Sequence, residues 1–144
     1  MADLPHLYRV VSKGSLEGNL IAQAENLPDL TVTSPAQFGG PGNEWSPEDL
    51  LMASVSNCLI LSFRAIARFS KLDWVSIECV SEGVLDKVER KLQFTKVVSK
   101  VKLFIPATET KEKAEKLLDK AEETCLISNS LSCESFIEYE VVFL

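Results

Sequence analysis

The stretch from Ser46 to about Lys71 limits the possible folds more than any other part of the chain. Its start has the marks of a helix N-terminus. Ser46 suits the cap, Pro47 suits the first helical position, where a missing N–H costs nothing, and Asp49 stands three residues after the cap as in a capping box. Glu48 and Asp49 also complement the positive end of the helix dipole. From there Leu50, Leu51, Ala53, Val55, Leu59, Ile60, Leu61, Phe63, Ile66, Ala67 and Phe69 lie around most of the circumference. The polar exceptions before Arg64 are small: Ser54, Ser56, Asn57 and Ser62. A helix apolar on all sides is buried on all sides. About 25 residues make a rod about 37 Å long, which a chain of 144 residues has trouble wrapping. A second copy would supply the missing cover, so burial alone points to a homodimer.

The segments around this helix read mostly as strands. Leu7 to Val11 is a short apolar run ending in the turn-like cluster Ser12-Lys13-Gly14-Ser15, Leu16 to Ala24 is a candidate return strand, and Leu30 to Thr33 is β-prone. Together they suggest an N-terminal antiparallel meander. Ser34 to Ser46 holds three of the six glycines and two of the six prolines and reads as a loop. After the helix, Trp74 to Val80 and Gln93 to Ile105 alternate as strands. The charged interval Ser81 to Lys91 suits a hairpin, although Val84, Leu85 and Val88 could extend a strand. Thr110 to Thr124 has the amphipathic stripe Ala114, Leu117, Leu118, Ala121, Cys125, with Thr108 or Thr110 as cap. Leu126 to Ser132 reads as a polar exit loop and Phe136 to Leu144 as a closing strand. This order predicts an α+β domain over residues 1–144, an antiparallel sheet with a long buried helix and a second helix on one side.

Bulk properties exclude several function classes. Apolar residues make up 46% and charged residues 25%, a balance that argues against disorder. The net charge of −6, with no Lys/Arg cluster, argues against nucleic acid and anionic membrane surfaces as partners. The longest apolar run, Cys58 to Phe63, is far too short to span a bilayer. The start Met1-Ala2-Asp3-Leu4-Pro5-His6 lacks the basic-then-apolar order of a signal peptide, so a cytoplasmic location is expected. There are four cysteines, Cys58, Cys79, Cys125 and Cys133, with no Cys-x-x-Cys, and His6 is the only histidine. A closed zinc site would need unusual spacing, and no metal or cofactor is expected.

Cys58 lies mid-helix among small neighbours, and Cys125 closes the apolar face of the second helix. Either alone reads as a buried residue that packs like a small hydrophobe. Both occupy core-facing helical positions, so the two helices could bring them together, but spacing alone does not establish that contact. Cys79 and Cys133 read as structural.

Three blocks, taken together, resemble a known family. Ser46-Pro47-Glu48-Asp49-Leu50-Leu51-Met52-Ala53-Ser54-Val55-Ser56-Asn57-Cys58 is a Pro-Glu-acidic-Leu-Leu helix start, then small residues, then a cysteine ten after the Glu. Gly39-Gly40-Pro41-Gly42 resembles the Gly-rich approach to that helix, and Cys125-Leu126-Ile127-Ser128-Asn129-Ser130-Leu131 resembles a second cysteine motif. In order and spacing they resemble the OsmC/Ohr family of cysteine-based hydroperoxide reductases. The resemblance implies an intertwined homodimer with sites at the subunit interface. It implies an organic hydroperoxide as substrate and an external dithiol, such as a lipoyl group, as reductant. Carried onto this chain, it makes Cys58 the peroxidatic residue, Cys125 the resolving one, and Glu48 a site acid. On one straight helix Glu48 lies about 15 Å from Cys58, so Glu48 is expected to reach the Cys58 of the partner subunit from an antiparallel long helix.

The chain departs from the family pattern in two places. The loop Ser34 to Ser46 lacks the usual arginine, with Gln37 and Phe38 at the corresponding place, and Leu126 stands where proline is usual. Arg9, Arg64 and Arg68 are the nearby substitutes by sequence, and the latter two read as solvated. A buried thiol with no cationic neighbour is expected to keep an ordinary or raised pKa. The competing expectation is therefore an OsmC-like redox sensor or small-molecule-binding dimer without efficient peroxidase turnover.

Overall fold

A computed structural model describes residues 3–144, so the Met1-Ala2 part of the signal-peptide reading lies outside the described residues. The chain divides into two compact units, one up to Leu50 and one from Leu51 to Leu144.

The first unit is the expected meander in shorter form. Strands β1 (Val11–Lys13), β2 (Leu20–Gln23) and β3 (Leu30–Val32) pair antiparallel in that order. Ser12 and Lys13, read above as turn residues, are in β1. The loop after β3 holds a 3-10 turn at Ala36–Phe38 and returns so that the Thr33 N–H donates to the Trp45 carbonyl at 2.9 Å. Gly40 packs against the Ser34 carbonyl so closely that any Cβ there would collide with it.

Helix α1 (Pro47–Phe69) begins as the sequence predicts. The Asp49 N–H donates to Ser46 Oγ at 3.1 Å, and the Ser46 N–H donates back to Asp49 Oδ2 at 3.3 Å, which completes the capping box. As a 23-residue helix with mean hydropathy 1.7 over its most apolar window, α1 is long and apolar enough to cross a bilayer by length and composition, more than its longest uninterrupted run implied. Val55, Leu59, Phe63 and Ala67, spaced by four, form a fully buried row on it.

In the second unit, β4 (Ser76–Val88) and β5 (Lys91–Ile105) form one long antiparallel hairpin. The interval Ser81 to Lys91 is thus mostly strand. Its turn is the pair Glu89-Arg90, both at positive φ, as a two-residue hairpin turn requires. Gly83 in β4 lies under Met52 of α1. A Cβ there would meet Met52 Sδ at 2.8 Å, so the close approach of helix to sheet depends on that glycine. Helix α2 (Lys111–Thr124) is capped by Thr110, whose side chain accepts from the Lys113 N–H. A short helix α3 (Leu126–Asn129) occupies the predicted exit loop.

Strand β6 (Glu134–Phe143) pairs with β5, and here the expectation of an antiparallel sheet fails: the β5–β6 pairing is parallel. Helix α2 is a crossover connection. After one pass across the sheet the chain re-enters from the same end, so the sheet β4-β5-β6 is mixed. Its inner face alternates along β5 as Val97, Ser99, Val101, Leu103 and Ile105. Val101, Leu103 and Ile105 pack with Leu59, Phe63 and Ala67 of α1 and the stripe Ala114, Leu117, Leu118 and Ala121 of α2. The architecture is α+β.

Candidate functional site

The site lies where α2 ends. Cys125 is both the C-cap of α2 and the N-cap of α3, with extended backbone (φ −66, ψ 109) between two helical runs. The first amides of a helix have no partner within it. Here the backbones of Leu126 and Ile127 bear on the sulfur of Cys58 and favour its thiolate, and the Ser128 backbone and side chain act in the same sense on the sulfur of Cys125. The bend that separates two helices thus also bears on both thiols.

Cys58 is half-buried on α1, and Cys125 is fully buried. The two are free thiols near enough for each to act on the other, with Cys125 lowering the pKa of Cys58. One turn along α1, Ser62 Oγ stands 4.0 Å from Cys58 Sγ. Burial pushes the Cys58 thiol up. The amides of Ile127 and Leu126, the Cys125 thiol and the Ser62 hydroxyl together outweigh that and hold it below its ordinary value. This corrects the expectation of an ordinary or raised pKa, which assumed that only a cation could favour the thiolate. For Cys125 burial dominates and raises the thiol, against the opposing Ser128 side chain and amide, while the neighbouring Cys58 raises it further.

Two residues read as purely structural lie close by. Cys79, on the inner face of β4, is 3.9 Å from Ser81 Oγ, and Ser81 hydrogen-bonds to Ser99 of β5 at 2.7 Å. Burial raises the Cys79 thiol, and charge on Glu122 and Cys125 raises it further. Cys133 lines a recess of about 440 Å³ with Glu122, Ser128 and Ser135. Sequence reasoning missed the Leu126 and Ile127 amides because they exist as donors only through the helix break at Cys125. Ser62 was legible, since it lies four residues after Cys58 and so on the same helix face.

Glu48 is not brought to its own chain's Cys58: both stand on α1, ten residues apart. Its Oε1 is buried and has no hydrogen-bond partner among the described residues. Arg9, Arg64 and Arg68 are exposed, and none is among the groups that act on the Cys58 sulfur.

Comparison with known proteins adds to this geometry. A family model described as "OsmC-like protein" matches residues 40–140. The chain is 25% identical over 122 residues to the uncharacterized protein YmaD of Bacillus subtilis, covering 82% of this chain and 76% of that one. It is 29% identical over 117 residues to an uncharacterized Methanocaldococcus jannaschii protein, spanning 81% of this chain and 59% of that relative's length. Among solved structures, an OsmC-like protein of unknown function from Vibrio cholerae superposes with TM-score 0.87 at 19% identity, covering 94% of this chain and all of the other. An organic hydroperoxide resistance protein OsmC from Legionella pneumophila superposes with TM-score 0.76 at 23% identity, covering 97% and 99%. At these identities the structural likeness speaks for the fold.

Proposed function

The chain belongs to the OsmC-like family, and from that premise we propose that it is a thiol peroxidase reducing organic hydroperoxides through Cys58 and Cys125. The observation that carries the reading is that Cys125 and the start of α3 lie beside Cys58, and that they together with Ser62 hold its thiol toward the thiolate. The thiolate is the nucleophilic form of cysteine. The Cys58 sulfur attacks the O–O bond of ROOH; the alcohol leaves after taking a proton, and Cys58 becomes a sulfenic acid. The Cys125 thiol then displaces water to form a Cys58–Cys125 disulfide, the reversible branch of cysteine oxidation. An external dithiol reopens it, with a lipoyl-type group the proposed donor, in a reducing compartment such as the cytoplasm.

The unit of function in this proposal is a homodimer. Two observations support it. Leu61 and Phe69 of α1 are 56% and 92% exposed although the helix is apolar around most of its circumference. The buried Oε1 of Glu48 also lacks a partner. Glu48 of one subunit would face Cys58 of the other and orient the peroxide. The test is direct. Reduced protein mixed with one equivalent of cumene hydroperoxide should consume it, and mass spectrometry should locate a Cys58–Cys125 bond. Unchanged peroxide would end the reading.

The absence of a cation among the groups acting on Cys58 favours one alternative. In that case the same pair forms its disulfide slowly and signals redox state, or the dimer holds a small molecule, without efficient turnover. Stoichiometric disulfide formation without sustained turnover on any dithiol would favour the sensor. A small molecule retained through purification would favour the binding dimer.

A further inference from the structure

Resolution of the sulfenic acid requires Cys125 to lose a proton, yet this thiol is fully buried and burial raises it. Ser128 is the hydroxyl that acts on the Cys125 sulfur. Only 6% of Ser128 is exposed, and its Oγ makes no well-aligned hydrogen bond with the resting thiol or with any other group among the described residues. A buried hydroxyl without a settled partner is costly, and it is free to turn its hydrogen toward a sulfur that becomes charged.

On its other side Ser128 lines the recess of about 440 Å³ shared with Glu122, Cys133 and Ser135. Glu122 is held there by one oxygen only. Its Oε1 accepts from Ser135 Oγ at 2.7 Å, while its Oε2 is buried and unpartnered. The two unpartnered oxygens therefore belong to residues that line one recess, which has room for several waters and polar groups to hold them. Ordinary core packing does not account for two such atoms next to a thiol.

We propose that the Ser128 hydroxyl, backed by the Glu122 carboxylate in the same recess, carries the proton of Cys125 when that thiol closes onto an oxidised Cys58. This rests on the peroxidase reading and deepens its second step. The S–S bond forms as the S–O bond of Cys58–SOH breaks. The Cys125 sulfur is oxidised and the Cys58 sulfur reduced. The Cys125 proton passes through Ser128 to Glu122 and water in the recess, and that water returns one proton to the departing hydroxide, which leaves as water with no net proton gained or lost. In this step Ser128 turns its hydroxyl onto the reacting sulfur and is a catalytic residue, whereas Glu122 acts through it as a positioning residue and proton acceptor.

The experiment separates the two steps. Reduced protein is mixed with one equivalent of cumene hydroperoxide, and samples are quenched over time with dimedone. Mass spectrometry then counts trapped Cys58 sulfenic acid and the Cys58–Cys125 bond. In Ser128→Ala, sulfenic acid should accumulate while closure of the disulfide slows by about tenfold, the loss expected for one hydrogen bond to a charged group. Ser128→Thr, which keeps the hydroxyl, should restore most of the closure rate. The near-isosteric Glu122→Gln should slow closure without slowing sulfenic acid formation, and it serves as the second variant if the added methyl of Thr is not accommodated. Closure at the wild-type rate in both Ser128→Ala and Glu122→Gln would overturn the inference and leave the peroxidase reading standing. No sulfenic acid in the wild-type protein would overturn both.

Discussion

Cys58 and Cys79 make a controlled comparison within one molecule. Both are half-buried, and both lie about one sulfur–hydroxyl hydrogen bond from a serine, Ser62 at 4.0 Å and Ser81 at 3.9 Å. Burial pushes both thiols up, yet the Cys58 thiol ends below its ordinary value and the Cys79 thiol above. The difference lies in what else faces each sulfur. The backbone at the start of α3 bears on Cys58 and favours its thiolate, whereas no backbone group does so for Cys79, which has the Glu122 carboxylate nearby. Standing beside the break between two helices, more than depth of burial, distinguishes a thiol poised to react from one that packs.

The widest separation between the two should appear in activity. Cys58→Ser is expected to lower cumene hydroperoxide consumption by at least about two orders of magnitude, as removal of a nucleophile does. Cys79→Ser should leave it within about twofold, the range in which nearby charge and packing act. Equal losses in a peroxide assay would erase the distinction and place Cys79 in the chemistry. The next effect is reactivity without peroxide. With iodoacetamide at neutral pH, native protein should be modified at Cys58 several times faster than at Cys79, because only the thiolate reacts. Peptide mass spectrometry of timed samples reads the order directly, and a faster Cys79 would reverse the comparison.

Much of this arrangement was legible from local patterns. The Ser46–Asp49 capping box, the start of α1 and the stripe of α2 follow from residue type and a 3.6-residue period, and all three stand in the structure. Long-range pairing was not legible. Nothing in Phe136 to Leu144 says whether that strand runs parallel or antiparallel to β5, because alternation looks the same in both directions. The polar look of Ser81 to Lys91 suggested a turn, but the outer face of a sheet is equally polar, and Glu82 pairs there with Lys100 at 2.7 Å. The same limit applied to the site. The helix faces of Cys58 and Ser62 could be read from spacing. The amides of Leu126 and Ile127 could not, since their orientation depends on the extended backbone of Cys125.

The two serine contacts themselves sharpen the comparison by a smaller amount. Ser99→Ala removes the partner of Ser81 and leaves that hydroxyl beside Cys79 without its 2.7 Å hydrogen bond, at a cost of about 1 kcal/mol of stability. It should also raise the Cys79 thiol further, since Ser99 opposes the shift. Urea unfolding measures the first effect, and the pH dependence of Cys79 alkylation measures the second. No change in either would mean that the Ser81–Ser99 pair is neutral to the thiol.

The smallest effect is in stability against pH, and its sign differs between the two cysteines. The folded state holds the Cys58 thiol below its unfolded value, so it prefers the thiolate. That contribution is present above the unfolded thiol range, near about 8.5, and is lost as pH falls through the lower folded value. The folded state holds the Cys79 thiol above its unfolded value, so its contribution is fully present below that range and is lost as pH rises through the higher folded value. Between about pH 7 and about pH 10, where free thiols titrate, Cys79→Ala should lose less stability than the wild-type protein, and Cys58→Ala should lose more. Urea midpoints across that range read the two slopes. Parallel curves for all three proteins would mean that the hydrogen bonds around the two sulfurs do not discriminate thiolate from thiol, and the contrast between the sites would reduce to geometry alone.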